Sequence, residues 1–191
     1  VVSLSDKSRV IVMLNQLQTP RLLLRHWEDT DIEPFVALNQ DIEVMEFFPS
    51  TLSREQSLEM IGRIEGGFKT NGYGLWAAQL LDSREFIGFV GLNVPRFECH
   101  FTPCVEIGWR LARAYWGKGL ATEAAHAALD AGFELFGLSE IVSFTTVHNI
   151  RSRRVMEKIG MTRDPAEDFD HPMVTGPLQK HVLYRKSNLS G

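Results

Sequence analysis

The segment with the clearest chemical content runs Arg110-Leu-Ala-Arg-Ala-Tyr-Trp-Gly-Lys-Gly-Leu-Ala-Thr-Glu123. An apolar run ends, a glycine-containing turn follows, and a helical pattern begins. The first N–H groups of a helix have no partner within it, and the helix dipole adds positive potential there, so such a turn is an anion site. Gly117 and Gly119 allow a ligand to approach the backbone with no Cβ in the way, and Lys118 contributes a cation. The chemistry implied is a phosphate or pyrophosphate cradle; the plainer alternative is an ordinary helix start. Two familiar phosphate loops do not fit. A Walker A loop needs Ser or Thr after Gly117-Lys118, where Gly119 stands, and the dinucleotide fingerprint needs glycine where Thr122 stands.

Other residues could carry proton transfer. Glu106 opens the run 105–111 and, by strand alternation, shares a face with Gly108 and Arg110. Burial there would raise its pKa and suit it to proton removal; the alternative is an edge carboxylate paired with an arginine. Asn149 and Ser152 stand at the start of a helical pattern, where both could simply satisfy backbone groups. Arg151, Arg153 and Arg154 form a basic cluster, readable as a phosphate contact or as a solvated face. His171 and His181 are candidate bases near the C-terminal strands, and the loop 168–172 is a candidate wall for an acceptor pocket. Cys99 and Cys104, with His100 between them, fall short of the ligand number that a structural zinc site needs, and they read as ordinary thiols.

The elements that must position these groups follow from periodicity and punctuation. Residues 21–26 read as a strand and 31–39 as a helix, with Pro34 tolerable only near its first turn. Ser53 and Gln56 form a capping-box pattern opening a second helix, with Leu58, Ile61, Ile64 and Phe68 on one face. Residues 73–81 and 86–93 read as a hairpin around the polar segment 82–85. A third strand covers 105–111, a long helix runs to about residue 136, and a strand follows over 140–147. A helix over 150–159 stops at Gly160, and 161–163 and 180–186 close the chain as strands. The order β-α-α-β-β-β-α-β-α-β-β is that of an α/β sheet with antiparallel hairpins and a crossover helix.

Composition bounds the rest. The chain has 191 residues, 44% hydrophobic and 23% charged, which suits one globular domain over 13–191 with an extension over 1–12 and Met13 as a natural start. The net charge of −4 counts against a dedicated nucleic-acid binder. No apolar run is long enough to span a bilayer, and no signal-peptide pattern stands at the front, so a soluble cytoplasmic protein is expected.

Residues 116–121, Trp-Gly-Lys-Gly-Leu-Ala, resemble the Gln/Arg-x-x-Gly-x-Gly/Ala signature of the GNAT superfamily of acyl-CoA-dependent N-acetyltransferases. Trp116 in the first place resembles the RimJ/RimL branch of ribosomal-protein N-terminal acetyltransferases. Asn149-Ile-Arg-Ser152 with Lys158-Ile-Gly160-Met161 resembles the family's later helix, and Thr19-Pro-Arg-Leu-Leu-Leu-Arg25 its first strand. The blocks lie in family order over about residues 17–186. The resemblance implies a mixed, mostly antiparallel sheet of about seven strands, splayed between two parallel central strands and flanked by about four helices. Acetyl-CoA would lie in the split, with no metal. Its pantetheine arm would run along the strand ending near Leu111, beside Trp109, with Asn149 on the arm. Its pyrophosphate would sit on the N–H groups of Gly117, Lys118, Gly119, Leu120 and Ala121, extending to Thr122, and Arg154 would meet the 3′-phosphate; Trp109 and Trp116 would line the cofactor cleft, the alternative for both being core packing. Glu106 matches the base position, and Ser152 the residue that protonates the departing sulfur. The implied activity is direct acetyl transfer, in a ternary complex, to a protein N-terminus or a small amine. The acceptor surface would come from 47–53, 95–103 and the tail after Arg163, and a homodimer is a further expectation. The alternative is a non-catalytic acyl-CoA sensor of the same fold.

Overall fold

The computed structural model describes residues 16–188, so the expected extension over 1–12 and the start at Met13 lie outside the described residues. The strands are β1 (Leu17–Gln18), β2 (Leu22–Arg25), β3 (Leu75–Leu80), β4 (Phe86–Asn93), β5 (Glu106–Leu111), β6 (Glu140–Thr146), β7 (Thr162–Arg163), β8 (Phe169–Asp170) and β9 (Lys180–Ser187). The helices are α1 (Ile32–Gln40), α2 (Arg54–Asn71), α3 (Leu120–Glu134) and α4 (Ile150–Lys158).

Local chemistry explains the helix ends. The Ser53 hydroxyl accepts the Gln56 N–H while the Gln56 amide takes the Ser53 N–H at 2.8 Å, completing the capping box of α2. Before α1, the buried Asp31 receives both guanidinium nitrogens of Arg25, at 2.7 and 2.8 Å, and the Glu28 N–H at 2.9 Å. Pro34 falls within the first turn of α1, where its missing N–H does no harm.

One sheet of nine strands runs β1-β2-β3-β4-β5-β6-β9-β7, with β8 also on β9. This exceeds the expected seven or so, because β1 and β8 are two-residue strands, too short to show any alternation in sequence. Every pair is antiparallel except β5–β6, which meets at one position, Glu106 opposite Val142. The Val142 N–H reaches the Val105 carbonyl at 2.9 Å and the Ser143 hydroxyl reaches the Ile107 carbonyl at 2.9 Å. Beyond them the strands part.

The main core lies between the sheet and α3, whose Leu120, Ala124, Ala125, Ala128 and Leu129 meet Ile107, Leu92 and Ile141. The packing is tight enough that a Cβ on Gly132 would come within 2.5 Å of the Ile141 side chain. Phe35 and Leu38 of α1 form a second cluster with Phe89, which belongs to the opposite face of β4. Among the described residues no helix is long and apolar enough to cross a membrane.

Candidate active site

The parting of β5 and β6 opens a cleft of about 880 Å³ lined by Ile107–Leu111 on one side and Ser143, Phe144 and Thr145 on the other. On β5 the even residues pair with β4, as the Ala112 N–H to Ile87 carbonyl bond of 2.8 Å also shows. The peptide groups of the odd residues therefore face the split. There the Ile107 carbonyl accepts Ser143, and the Leu111 carbonyl accepts the Trp116 indole N–H at 2.8 Å. By the same alternation the Trp109 peptide groups are aimed into the cleft.

At one mouth of the cleft α3 begins without a side-chain cap. Its N-cap is Gly119 at φ 78°, preceded by Gly117 at φ 73°, a left-handed conformation that glycine adopts freely. A Cβ on Gly117 would meet nothing within 4 Å, so the space over this turn is open. The first bond inside α3 is from the Glu123 N–H to the Gly119 carbonyl, which leaves the N–H groups of Leu120, Ala121 and Thr122 for a ligand. Thr19 and Arg21 hold this start in place: the Glu123 carboxylate accepts the Thr19 hydroxyl at 2.6 Å and the Arg21 Nε at 2.7 Å. Arg21 Nη1 also donates to the Lys118 carbonyl at 2.9 Å. The Thr19-Pro-Arg21 block thus positions the turn, a role that nothing local in the sequence announces.

Across the cleft, Asn149 caps α4. Its Oδ1 accepts the Ser152 N–H at 3.2 Å and its Nδ2 donates to the Thr145 hydroxyl at 3.0 Å. The half-buried Ser152 has no protein partner for its hydroxyl among the described residues, and it lines the cleft with Asn149 and Arg154. Arg151 reaches over the cleft. It pairs with Glu46 at 2.7 Å and lies over the Trp116 ring at 4.5 Å and the Phe47 ring at 5.4 Å. Arg153 turns away and donates to the Val147 carbonyl at 3.0 Å.

Glu106 stands where the strands part. Burial pushes its carboxyl up to about 8, opposed only by a hydrogen bond with Asn93, its cross-strand neighbour on β4. No arginine pairs with it among the described residues. Gly108 leaves open space beside it, since a Cβ there would meet only Glu106 Oε1, at 3.9 Å. Arg110, on the same face, is buried and donates to Asn39 Oδ1 at 2.5 Å. Burial lowers its pKa to about 10.

The expected residues therefore meet in one place. Glu106, Trp109, Leu111, Trp116, Gly117, Gly119, Leu120, Ala121, Thr122, Asn149, Ser152 and Arg154 all line the cleft. Lys118 does not: its ammonium lies 5.5 Å over the Tyr115 ring, while its carbonyl accepts Arg21. The loop 95–103 does not line the cleft either. Phe97 and Phe101 instead pack with Phe144 and Phe169 beneath it. Met173 and Val174, just beyond the 168–172 loop, do reach the cleft, as do Phe47, Phe48 and Pro49.

His171 and His181 also line the cleft, with ring centroids 4.9 Å apart. Burial, then the neighbouring His181, brings the His171 imidazole down to about 4, and burial lowers His181 as well. Cys99 and Cys104 are free thiols, and burial pushes Cys104 up to about 11. Among the described residues no group of three His, Cys, Asp or Glu is placed to hold a metal.

Comparison with known proteins agrees with this geometry. Residues 21–162 match the family model described as an acetyltransferase (GNAT) domain. The uncharacterised protein YkkB of Bacillus subtilis is 35% identical over 147 residues, covering 76% of this chain and 84% of that one. The uncharacterised N-acetyltransferase YnaD of the same organism is 30% identical over 148 residues, covering 78% and 83%. A crystal structure of a GNAT-family acetyltransferase from Bacillus anthracis superposes with a TM-score of 0.75 at 26% identity, covering 90% and 98%.

Proposed function

The chain belongs to the acetyltransferase (GNAT) family, and from that premise we propose that it moves an acetyl group from acetyl-CoA directly to a primary amine, either a protein N-terminus or a small molecule. The carrying observation is that one cleft holds both an uncapped helix start and a half-buried carboxyl. The residues present fit the cofactor. A cradle with positive-φ glycines and open space above them suits a pyrophosphate, because backbone N–H groups and the helix dipole both favour an anion there. The N–H groups of residues 117–122 would hold the pyrophosphate, the Trp109 peptide groups and Asn149 the arm, and Arg154 the 3′-phosphate.

Acetyl-CoA supplies the activated acetyl thioester and its thiolate leaving group. The protein's tasks are to strip a proton from the amine and to return one to the sulfur. Glu106 serves the first: its raised pKa makes the carboxylate a stronger base than a free side chain, and Gly108 leaves room for the amine beside it. Ser152 serves the second, its hydroxyl free of protein partners among the described residues and on the cleft wall. The RimJ/RimL-like character rests on the sequence of the turn, Trp116 above all.

Thermal unfolding with ligand tests the binding half. Acetyl-CoA at about 100 times its Kd raises stability by about 2.7 kcal/mol, whereas ATP with magnesium does not. Release of free CoA on adding an amine panel tests the transfer. A protein stabilised by acetyl-CoA that releases no CoA with any amine would be a sensor, and this reading would fall.

A further inference from the structure

We propose that Arg110 is the anchor for an anionic group, a carboxylate in the first place, carried by the acceptor amine. The inference rests on the acetyl-transfer reading for what happens to the amine, but its evidence is separate from the cofactor cradle.

Arg110 is 8% exposed and lines the cleft. Among the described residues its one hydrogen bond is to the neutral side chain of Asn39, and its Nε is buried without a partner. No carboxylate pairs with it among the described residues. The other deeply buried arginine, Arg25, shows what the fold does when a buried guanidinium is purely structural: Asp31 meets it with both oxygens. Burying a charge is expensive unless it is paired, so an uncompensated guanidinium on a cleft wall is a site awaiting its counter-charge.

The surroundings fix what that counter-charge belongs to. Arg110 lies 4.1 Å from the Phe48 ring centroid and 5.4 Å from that of Phe89, both in the cleft lining, so its plane is held in an apolar slot. Asn39 is in turn tied to Ser57 at 3.1 Å, which braces the guanidinium from α1 and α2. Glu106 is four residues back on the same face of β5, and Gly108 between them bears no side chain. At about 3.3 Å per residue their Cα atoms stand roughly 13 Å apart, a separation within the combined reach of a glutamate side chain, an arginine side chain and a small ligand between them. A small molecule with an amine beside Glu106 and a carboxylate beside Arg110 spans it. The acceptor class is therefore an amino acid or similar anionic amine. Arg63, also in the lining, adds positive potential, so a polyamine is the class this wall repels.

Matched acid and amide pairs test this. N-acetylglycine against N-acetylglycinamide, and N-acetylphenylalanine against its amide, are titrated calorimetrically into the CoA-saturated protein. The acids are expected to bind roughly tenfold or more tighter than the amides, as a charge-assisted hydrogen bond implies. Arg110→Gln removes the difference, and Arg110→Lys keeps part of it. Equal binding of acid and amide, no binding of either pair, or a preference that survives Arg110→Gln overturns the assignment. The wild-type comparison stands even where a variant does not fold. The corresponding free amino acids, their amides and spermidine then enter the CoA-release assay. Release with none of them, while the acid–amide difference persists, defeats acetyl transfer and leaves the anionic subsite; release with spermidine in preference to the acids defeats the subsite.

Discussion

Replacing Glu106 by Gln separates a half-buried titrating base from an ordinary carboxylate. In the folded protein the carboxyl sits at about 8, held there by burial, against an ordinary value of 4.5. Between those values the folded chain holds a proton that the unfolded chain has released, so stability is fully present at low pH and falls as pH rises through 8. Each tenfold change is worth about 1.4 kcal/mol, so the span from about pH 5 to about pH 8 amounts to an effect on the order of 4 kcal/mol. The glutamine variant has no such proton. Urea unfolding at both ends of that range, and at about pH 9, should show the wild type losing on the order of 4 kcal/mol more than Glu106→Gln. The same group predicts kinetics. Wild-type kcat/KM rises towards pH 8 as the carboxylate forms, and the variant loses that limb together with roughly 10²–10⁴ of its rate. Stability curves that run parallel in the two proteins would refute the reasoning, because the carboxyl would then be as hydrated in the fold as in the free chain.

Two further substitutions probe the frame around it. Gly119→Ala introduces a Cβ that meets nothing closer than Arg21 Nη2 at 3.6 Å, so its effect is backbone strain at φ 78°; about 1–2 kcal/mol should be lost in urea unfolding, with weaker acetyl-CoA binding by calorimetry, and unchanged values in both would remove the turn from the site. Asp31→Ala leaves the 4%-exposed Arg25 with only the exposed Glu28 carboxylate, 3.6 Å from its Nε, and should cost about 3–5 kcal/mol by the same method; a loss below about 1 kcal/mol would mean that Glu28 or water compensates the guanidinium.

Much of the frame was legible because it depends on local patterns. The capping box at Ser53 and Gln56, the stop at Gly160 and the glycine turn before α3 each rest on a few adjacent residues. What escaped depends on residues far apart. Asn39 meets Arg110 across 71 positions, and Glu123 meets Arg21 across 102. Neither pair leaves a periodic trace. The 95–103 loop misled for a related reason: its aromatic side chains have the same composition whether they line a pocket or floor one, and here they support Phe144 and Phe169 from below. Lys118 illustrates a third limit. Its position in the turn was legible but its side-chain direction was not: the ammonium lies over the Tyr115 ring, and the Lys118 carbonyl accepts Arg21.

The single parallel rung between β5 and β6 gives the molecule the mechanics of a caliper. One jaw carries Glu106, Arg110 and the α3 cradle; the other carries Asn149, Ser152, His171 and His181. The jaws meet at Glu106 and Val142, pinned by the Ser143 hydroxyl on the Ile107 carbonyl, with Arg151 clasping the tips through Glu46 and Trp116. Any change in the angle at that pivot is magnified along the gap, so loss of the Ser143 hydroxyl bond would act on all the facing residues at once. The accuracy with which the two jaws are set against each other is thus delegated to one backbone bond at Val142 and one hydroxyl at Ser143.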